Sequence, residues 1–483
     1  MTIPWNPAAA GLAIDRSRAV PLTQQIASAL RSAIVEGRLR PGARLPSWLD
    51  MATQLGVSRG TVKAAYETLI DEMLVFSAGA AGTRVADRPA PRPVAVRTVE
   101  IACPLQDAGR EFGLRPLPFQ IGVPAQDAFP AKLWARLRTR AVRANAIAPV
   151  TASDPRGTPE LRAQIAAQLA ITRGIRCLPD QIILTSGYRG GLGLALSTLG
   201  MAGRRAWVED PGCPVTRKAL RLAGVDTMPV PVDAQGLRVD RAIHAAPDAA
   251  LAIVTSGLQG PGGAALSAER RAALLAWAER KGGWIVEHDQ ASELLLDGRA
   301  PPAIAANDPA GRVIHIGSFD MTISGALGLG YLVAPIALAA QFAEVAAHLN
   351  PAPNPATQLA LADFLGDGHF LRHMRHMKAL YRERRDMLAR YLGNAILLDQ
   401  NGGLAAIMPL PAGTDDVALA AQAPALGIAP APLSLWSADP GKARPGLVLG
   451  ITNMREPIAA KACEALARLI DCPAAVPLPA RAA

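Results

Sequence analysis

The chain has 483 residues, half of them apolar yet only 4% aromatic, and a formal net charge of +10. That length holds two or three domains with separate cores. The longest apolar stretch, Ala326 to Ala340, is broken by Gly328, Gly330 and Pro335, which argues against a membrane span. Met1 to Ala19 lacks the basic and apolar regions of a secretion signal. Cys103, Cys177, Cys213, Cys463 and Cys472 show neither a disulfide framework nor metal spacing, so a cytoplasmic protein is expected.

From Leu22 the apolar positions Leu22, Ile26, Ala29, Leu30, Ala33 and Ile34 recur at helical spacing, and Gly37 with Arg40-Pro41-Gly42 ends the run. A second helix is expected from Ser47, its N-cap, to Leu55, with Met51, Ala52 and Leu55 inward and Gly56 as the stop. Ser58 then caps a third, Arg59 to Asp71, which turns Val62, Tyr66, Leu69 and Ile70 to the core and Arg59, Gly60 and Lys63 outward. Two helices joined by a tight Gly-Val-Ser turn have helix-turn-helix geometry, in which the start of the second helix reaches the major groove. Val75-Phe76 and Thr83-Arg84-Val85 flank Gly79 to Gly82 as a two-stranded wing. Periodicity alone fits an ordinary helical bundle equally well. The detail of Gly37 to Ser47 and of Leu55-Gly56-Val57-Ser58-Arg59-Gly60-Thr61-Val62, however, closely resembles the winged helix of GntR-type transcriptional regulators over Pro21 to Val85. The resemblance implies DNA contact by Ser47, Ser58, Arg59, Gly60, Thr61 and Lys63, and by Gly82, Thr83 and Arg84 of the wing. Leu49 stands where that family commonly has a DNA-contacting arginine, which should weaken or redirect binding without abolishing it.

Residues 1–88 are therefore read as the DNA-binding domain. The stretch 89–115, rich in Pro, Arg and Val, is read as a semi-extended linker. Beyond it, apolar runs at Gln181–Thr185, Arg205–Val208, Ala250–Val254, Trp284–Val286 and Gly311–Ile316 alternate with alanine-rich helical stretches. That alternation points to a mainly parallel sheet with helices on both faces and a ligand site at the strand C-termini.

Phe129-Pro130, Asp154-Pro155-Arg156-Gly157, Thr185-Ser186-Gly187, Glu209-Asp210-Pro211-Gly212 and Pro231 to Leu237 occur in the order found in MocR regulators, which the chain resembles from about Pro118 to Ile470. These are GntR proteins with a fold-type I aminotransferase-like effector domain. The resemblance implies an α/β domain over 116–483, with a smaller C-terminal subdomain from about 350. It also implies pyridoxal phosphate as the family cofactor and a head-to-tail homodimer that pairs two winged helices on one operator.

The cofactor positions are altered. Met321 stands where the family has its Schiff-base lysine, and Gly328, seven residues on, where it has a phosphate-binding arginine. In Glu287-His288-Asp289-Gln290, His288 takes the place of the aspartate that pairs with the ring nitrogen, and Gln290 that of the tyrosine that bonds the ring oxygen. Cys213 interrupts the usual Pro-Gly-Tyr-Pro, and Leu258 replaces a histidine. Each exchange alone has an ordinary explanation, and a register shift of one would make Asp289 the ring partner. Together they remove the covalent link and both counter-charges, so no covalent cofactor is expected. Ser186, Gly187 and Ser318 keep groups suited to an oxyanion, with Arg189 near in sequence. His369, His373 and His376 at helical spacing read as a solvated basic face, and no metal is expected.

The function expected is that of an operator-binding regulator, not an enzyme, whose large domain dimerises and is a candidate sensor of an unidentified small effector. The alternative is an aminotransferase-like enzyme or sensor that binds the cofactor non-covalently or through another lysine; the nearest in sequence are Lys281 and Lys378.

Overall fold

The computed structural model describes residues 12, 14–17, 20–87, 115–147, 154–350, 352–398 and 402–471. All of the expected linker except Arg115 lies outside the described residues. The chain divides into two compact units, Met1–Ala108 and Gly109–Ala483.

In the first unit, α1 (Leu22–Val35), α2 (Trp48–Leu55) and α3 (Arg59–Asp71) enclose a core of Ile26, Leu30, Met51, Val62, Ala65, Tyr66 and Leu69. The caps form as the sequence indicates. Ser47 Oγ accepts from Asp50 N and Ser58 Oγ from Thr61 N, both at 3.1 Å, and Gly56 stops α2 in the left-handed region at φ 60°. Ile70, expected inside, is 37% exposed, because the stripe Val62–Tyr66–Leu69 leaves it one residue beyond the buried face. The wing pairs β1 (Val75–Ser77) with β2 (Thr83–Val85). It is broader than two strands: Arg44 bridges to Arg84, and Leu45 N donates to Thr83 O at 2.8 Å.

The second unit contains an eight-stranded sheet in the order β3-β10-β9-β8-β7-β4-β5-β6. In chain order these strands are β3 (Ile182–Thr185), β4 (Arg205–Asp210), β5 (Asp226–Asp233), β6 (Gly236–Leu237), β7 (Leu251–Val254), β8 (Trp284–Asp289), β9 (Val313–Ser318) and β10 (Gly330–Val333). From β5 through β9 neighbours run parallel, while β10 is antiparallel to both β3 and β9. Pro229 and Pro231 hid β5 from the sequence reading, since proline removes ladder donors. The helices of this unit are α4 (Ala131–Ala146), α5 (Pro159–Thr172), α6 (Gly187–Thr198), α7 (Pro214–Leu222), α8 (Val239–Ala245), α9 (Ala268–Lys281), α10 (Ala339–Leu349), α11 (Pro355–Gly366), α12 (His369–Leu392), α13 (Asp416–Gln422) and α14 (Glu456–Asp471). One sheet face packs on α6, α7 and α10 through Leu192, Leu220 and Phe342; the other carries α8 and α9 through Val239, Leu274 and Trp277.

A four-stranded sheet, ordered β11 (Leu397–Leu398), β12 (Ala405–Pro409), β14 (Gly446–Gly450) and β13 (Ala431–Pro432), forms the smaller C-terminal part. Helix α11 packs on α4 and α5, whereas Phe119 joins the small sheet, accepting from Gly450 N at 2.8 Å. Among the described residues no helix is long and apolar enough to cross a membrane.

Candidate functional site

The start of α3 carries the candidate DNA contacts. Arg59, Gly60 and Lys63 are exposed, and the first turn holds no acidic residue, so the positive end of the helix dipole is uncompensated there. Lys63 Nζ lies 3.8 Å from Glu67 Oε1, a surface pair of little strength. Two of the expected contacts have prior partners. The Ser58 hydroxyl is 2.7 Å from Thr61 Oγ1 besides capping the helix, and the Ser47 hydroxyl donates to Asp50 at 2.7 Å. In the wing, Arg84 is half-buried and donates to Gly42 O at 2.8 Å. Gly82 has φ 83°, with the Arg44 guanidinium 3.0 Å from where a Cβ would stand, so a side chain at 82 would strain the wing.

In the large unit, alternation along β8 decides which residue faces α6. Val286 packs in the cluster that contains Tyr188 and Ile316, on the side of α6, whereas Ile285 packs on the opposite side with Trp207 and Trp277. His288 follows Val286: its ring stacks on Tyr188 with centroids 3.5 Å apart and planes 14° from parallel. Burial pushes the His288 pKa down to about 4, only partly opposed by Asp289, so the ring is neutral at physiological pH. Tyr188 in turn shares a 2.9 Å hydrogen bond with Thr216 of α7.

Asp289 occupies the other face and is fully engaged. It accepts from Arg173 Nε at 2.6 Å and from Ser292 N at 3.1 Å. Burial would raise its pKa, but Arg173, His315 and Ser292 outweigh burial and hold the carboxyl well below the usual range. Glu287, on the same side, accepts from Ile304 N at 2.7 Å and from the Ser256 hydroxyl, and lies 3.0 Å from His315 Nδ1. Asp289 is thus committed to Arg173 and Ser292 on the face of β8 away from Tyr188.

Met321 and Gly328 lie on the connection that turns β9 into β10. Ser318 pairs with Gly330, and Gly330 is packed so closely against Gly187 that a Cβ on it would come 2.7 Å from Gly187 Cα. This contact brings the β9 end to the start of α6. Met321 is half-buried against the main core, in a turn spanning Asp320–Ser324. Gly328 is exposed with φ 56° and open space around it, a backbone that suits glycine rather than arginine. Gln290 reaches the neighbourhood of Gly260, whose absent Cβ leaves room for the Trp436 ring. Leu258 is buried, and Cys213 is the half-buried N-cap residue of α7.

Three groups in this region went unnoticed in the sequence. Asp320 precedes Met321 in sequence; its carboxylate lies beside Gly187, and burial raises its pKa to about 6, against Ser318 and Arg189. Tyr188, in the first turn of α6, is the second, through its stack on His288. Glu209 at the end of β4 accepts from Thr255 N at 2.9 Å, and burial pushes it up to about 8. Only its position at a strand C-terminus signalled it. The expectation of a solvated histidine face is corrected at His373, which is buried and pairs through Nε2 with Thr322 O at 2.9 Å, bracing the Met321 turn. His369 is bonded by Arg372 at 2.7 Å. No group of three or more metal-ligating side chains occurs among the described residues.

A winged helix joined to an aminotransferase-type fold defines a class of bacterial regulatory protein, and the comparisons agree. Residues 22–85 match the bacterial regulatory proteins of the gntR family, and residues 122–425 match aminotransferase class I and II. The probable rhizopine catabolism regulatory protein MocR of Rhizobium meliloti is 34% identical over 438 residues, 88% of each chain. The HTH-type pyridoxine biosynthesis transcriptional regulator PdxR of Corynebacterium glutamicum is 35% identical, over 82% of this chain and 85% of that one. An archaeal alanine:glyoxylate aminotransferase shares the fold of the large unit, with a TM-score of 0.68 at 22% identity, covering 76% of this chain and 92% of that one. The chain belongs to the MocR-type regulators of the GntR family, transcriptional regulators that carry an aminotransferase-like domain.

Proposed function

We propose that this regulator binds its operator through the exposed start of α3 and the wing, and that its large domain serves as dimerisation and effector module without forming a covalent adduct with pyridoxal phosphate. Arg59 and Lys63 dock on phosphates or base edges, with Thr61 and the Thr83–Arg84 edge of the wing beside them. Ser47 and Ser58 act mainly by capping the helices that present these groups. A head-to-tail homodimer in the cytoplasm would set two such helices on one duplex.

The observation that carries the non-enzymatic reading is the joint replacement around the Met321 turn and His288. A thioether has no lone pair able to form a Schiff base. Gly328 offers no counter-charge for a phosphate, whose charge-assisted pair with arginine would contribute about 1.5–3 kcal/mol. His288, neutral and stacked on Tyr188, supplies no anion for a protonated ring nitrogen. These residues do not fit pyridoxal phosphate, and no chemical step is derived through it. A mixture of full-length protein, pyridoxal phosphate and borohydride should leave no stable adduct; a lysine adduct anywhere in the pocket overturns the reading. Salt-dependent, sequence-selective retardation of DNA from the promoter region of its own gene tests the regulatory half, and uniform weak binding to every sequence refutes it.

A further inference from the structure

The sequence left an open question at the α6 start: Ser186, Gly187 and Ser318 retain groups suited to a phosphate, although the arginine that would accompany them is gone. The chain itself answers it. Asp320 Oδ2 stands 2.9 Å from where a Cβ on Gly187 would be, so the carboxylate presses against the backbone that would face a phosphate. Ser318 and Arg189 are the groups that favour its charged form, against burial. Asp320 Oδ1 is buried without a hydrogen-bond partner. Nearby, at the end of β8, the His288 ring stacks on Tyr188 of the same helix start.

We propose that Asp320 is the residue that determines which ligands this pocket accepts: its carboxylate occupies the anion seat between Gly187 and Ser318, so phosphate-bearing compounds are refused and an effector must lack a phosphate. The inference rests on the non-covalent reading above and adds a cause to it, since replacing Met321 alone leaves the seat taken. An anion brought to Gly187 would have to displace a carboxylate of like charge held in a desolvated position. Burial holds that carboxyl at about 6, well above its ordinary value, as expected for a group lacking full compensation.

The test uses the full-length chain, with inorganic phosphate and pyridoxal phosphate as probes, read by thermal shift and by quenching of tryptophan fluorescence. Asp320→Ser vacates the seat, and Asp320→Asn removes the charge while keeping the shape. Either should bind both probes roughly tenfold tighter than wild type or better. With Met321→Lys as background, the single variant should trap little borohydride-stable adduct and Asp320→Ser/Met321→Lys substantially more. Should the serine variant fail to fold, as judged by circular dichroism, the near-isosteric asparagine variant carries the comparison. Equal probe binding by wild type and both Asp320 variants overturns the inference, as does equal trapping by Met321→Lys with and without Asp320. A borohydride-stable adduct on the wild-type chain would instead sink the non-covalent reading itself.

Discussion

Arg173→Met probes the polar girder behind the pocket. The Arg173 and Asp289 side chains are 1% and 6% exposed, and Nε donates to Oδ2 at 2.6 Å. Nη1 is also spent, on Pro301 O at 2.6 Å. Methionine fills similar volume but leaves Asp289 facing Glu287 and Glu293 with no guanidinium between them. Removing one partner of a buried pair costs about 3–5 kcal/mol, because the other charge stays desolvated. The pH dependence adds a signature. In the wild type the Asp289 pKa is depressed on folding, so its contribution is complete above the unfolded value and lost as pH falls through the acid range. In Arg173→Met only His315 and Ser292 still oppose burial, so the Asp289 pKa rises above its wild-type value and the deficit should shrink as pH falls through the acid range. Denaturant unfolding followed by tryptophan fluorescence reports on the sheet, where Trp207 and Trp277 lie 4.1 Å apart. Arg173→Met/Asp289→Asn should recover at least half of the loss. A loss below about 1 kcal/mol at pH 8, or zero coupling between the two sites in the double-mutant cycle, would refute the argument.

The Glu209 pKa is raised on folding to about 8, so its carboxyl favours the folded state at low pH, and stability should fall as pH rises from the ordinary carboxylate range to about 8. Glu209→Gln keeps an acceptor for Thr255 N and should flatten that decline, worth roughly 1.4 kcal/mol per pH unit over the window; an unchanged slope excludes Glu209 as its source. His288 acts in the opposite sense: its folded pKa is depressed to about 4, so stability falls as pH drops from 6.5 towards 4. His288→Phe should keep the stack on Tyr188 and remove that loss, roughly 3 kcal/mol at most, in acid-unfolding curves. On the winged helix, Ser58→Ala should destabilise the first unit by about 1 kcal/mol, whereas Ser58→Asp should keep the cap and weaken operator binding by placing a negative charge at the helix start. Lys63→Ala should leave thermal stability within about 0.5 kcal/mol of wild type and lower the salt dependence of DNA affinity by about one phosphate contact; a strictly parallel salt plot would remove Lys63 from the interface.

The winged helix was readable almost to the residue because its signals are local. Ser47, Gly56 and Ser58 act on backbone groups within three or four positions of themselves, so capping chemistry set both limits of α2 and the start of α3. The large domain was readable in kind, since short apolar runs between alanine-rich stretches imply a buried parallel sheet. Its missed parts depend on distant partners. Strand β5 holds Pro229 and Pro231 yet pairs with β4, and the direction of β10 follows from the turn after β9. Around the β9–β10 turn, the identities of Met321, Gly328 and His288 were visible as letters. That the Asp320 carboxylate folds onto Gly187, or that Tyr188 and His288 stack, depends on the packing of β8, the β9–β10 connection and α6 together. No spacing in the sequence encodes it.

Asp320 and Met321 are neighbours in one short turn, and that adjacency bears on how such a protein can change over generations. A reversion that returned a lysine at 321 would meet a seat already filled, and one that emptied 320 would meet no nucleophile. Neither step alone would bring back a trait that selection could act on, and Gly328 and His288 add two more. On the proposed reading, covalent cofactor chemistry in this domain would need several substitutions together rather than one, because the turn, the exposed glycine at 328 and the His288 stack each withhold a different requirement.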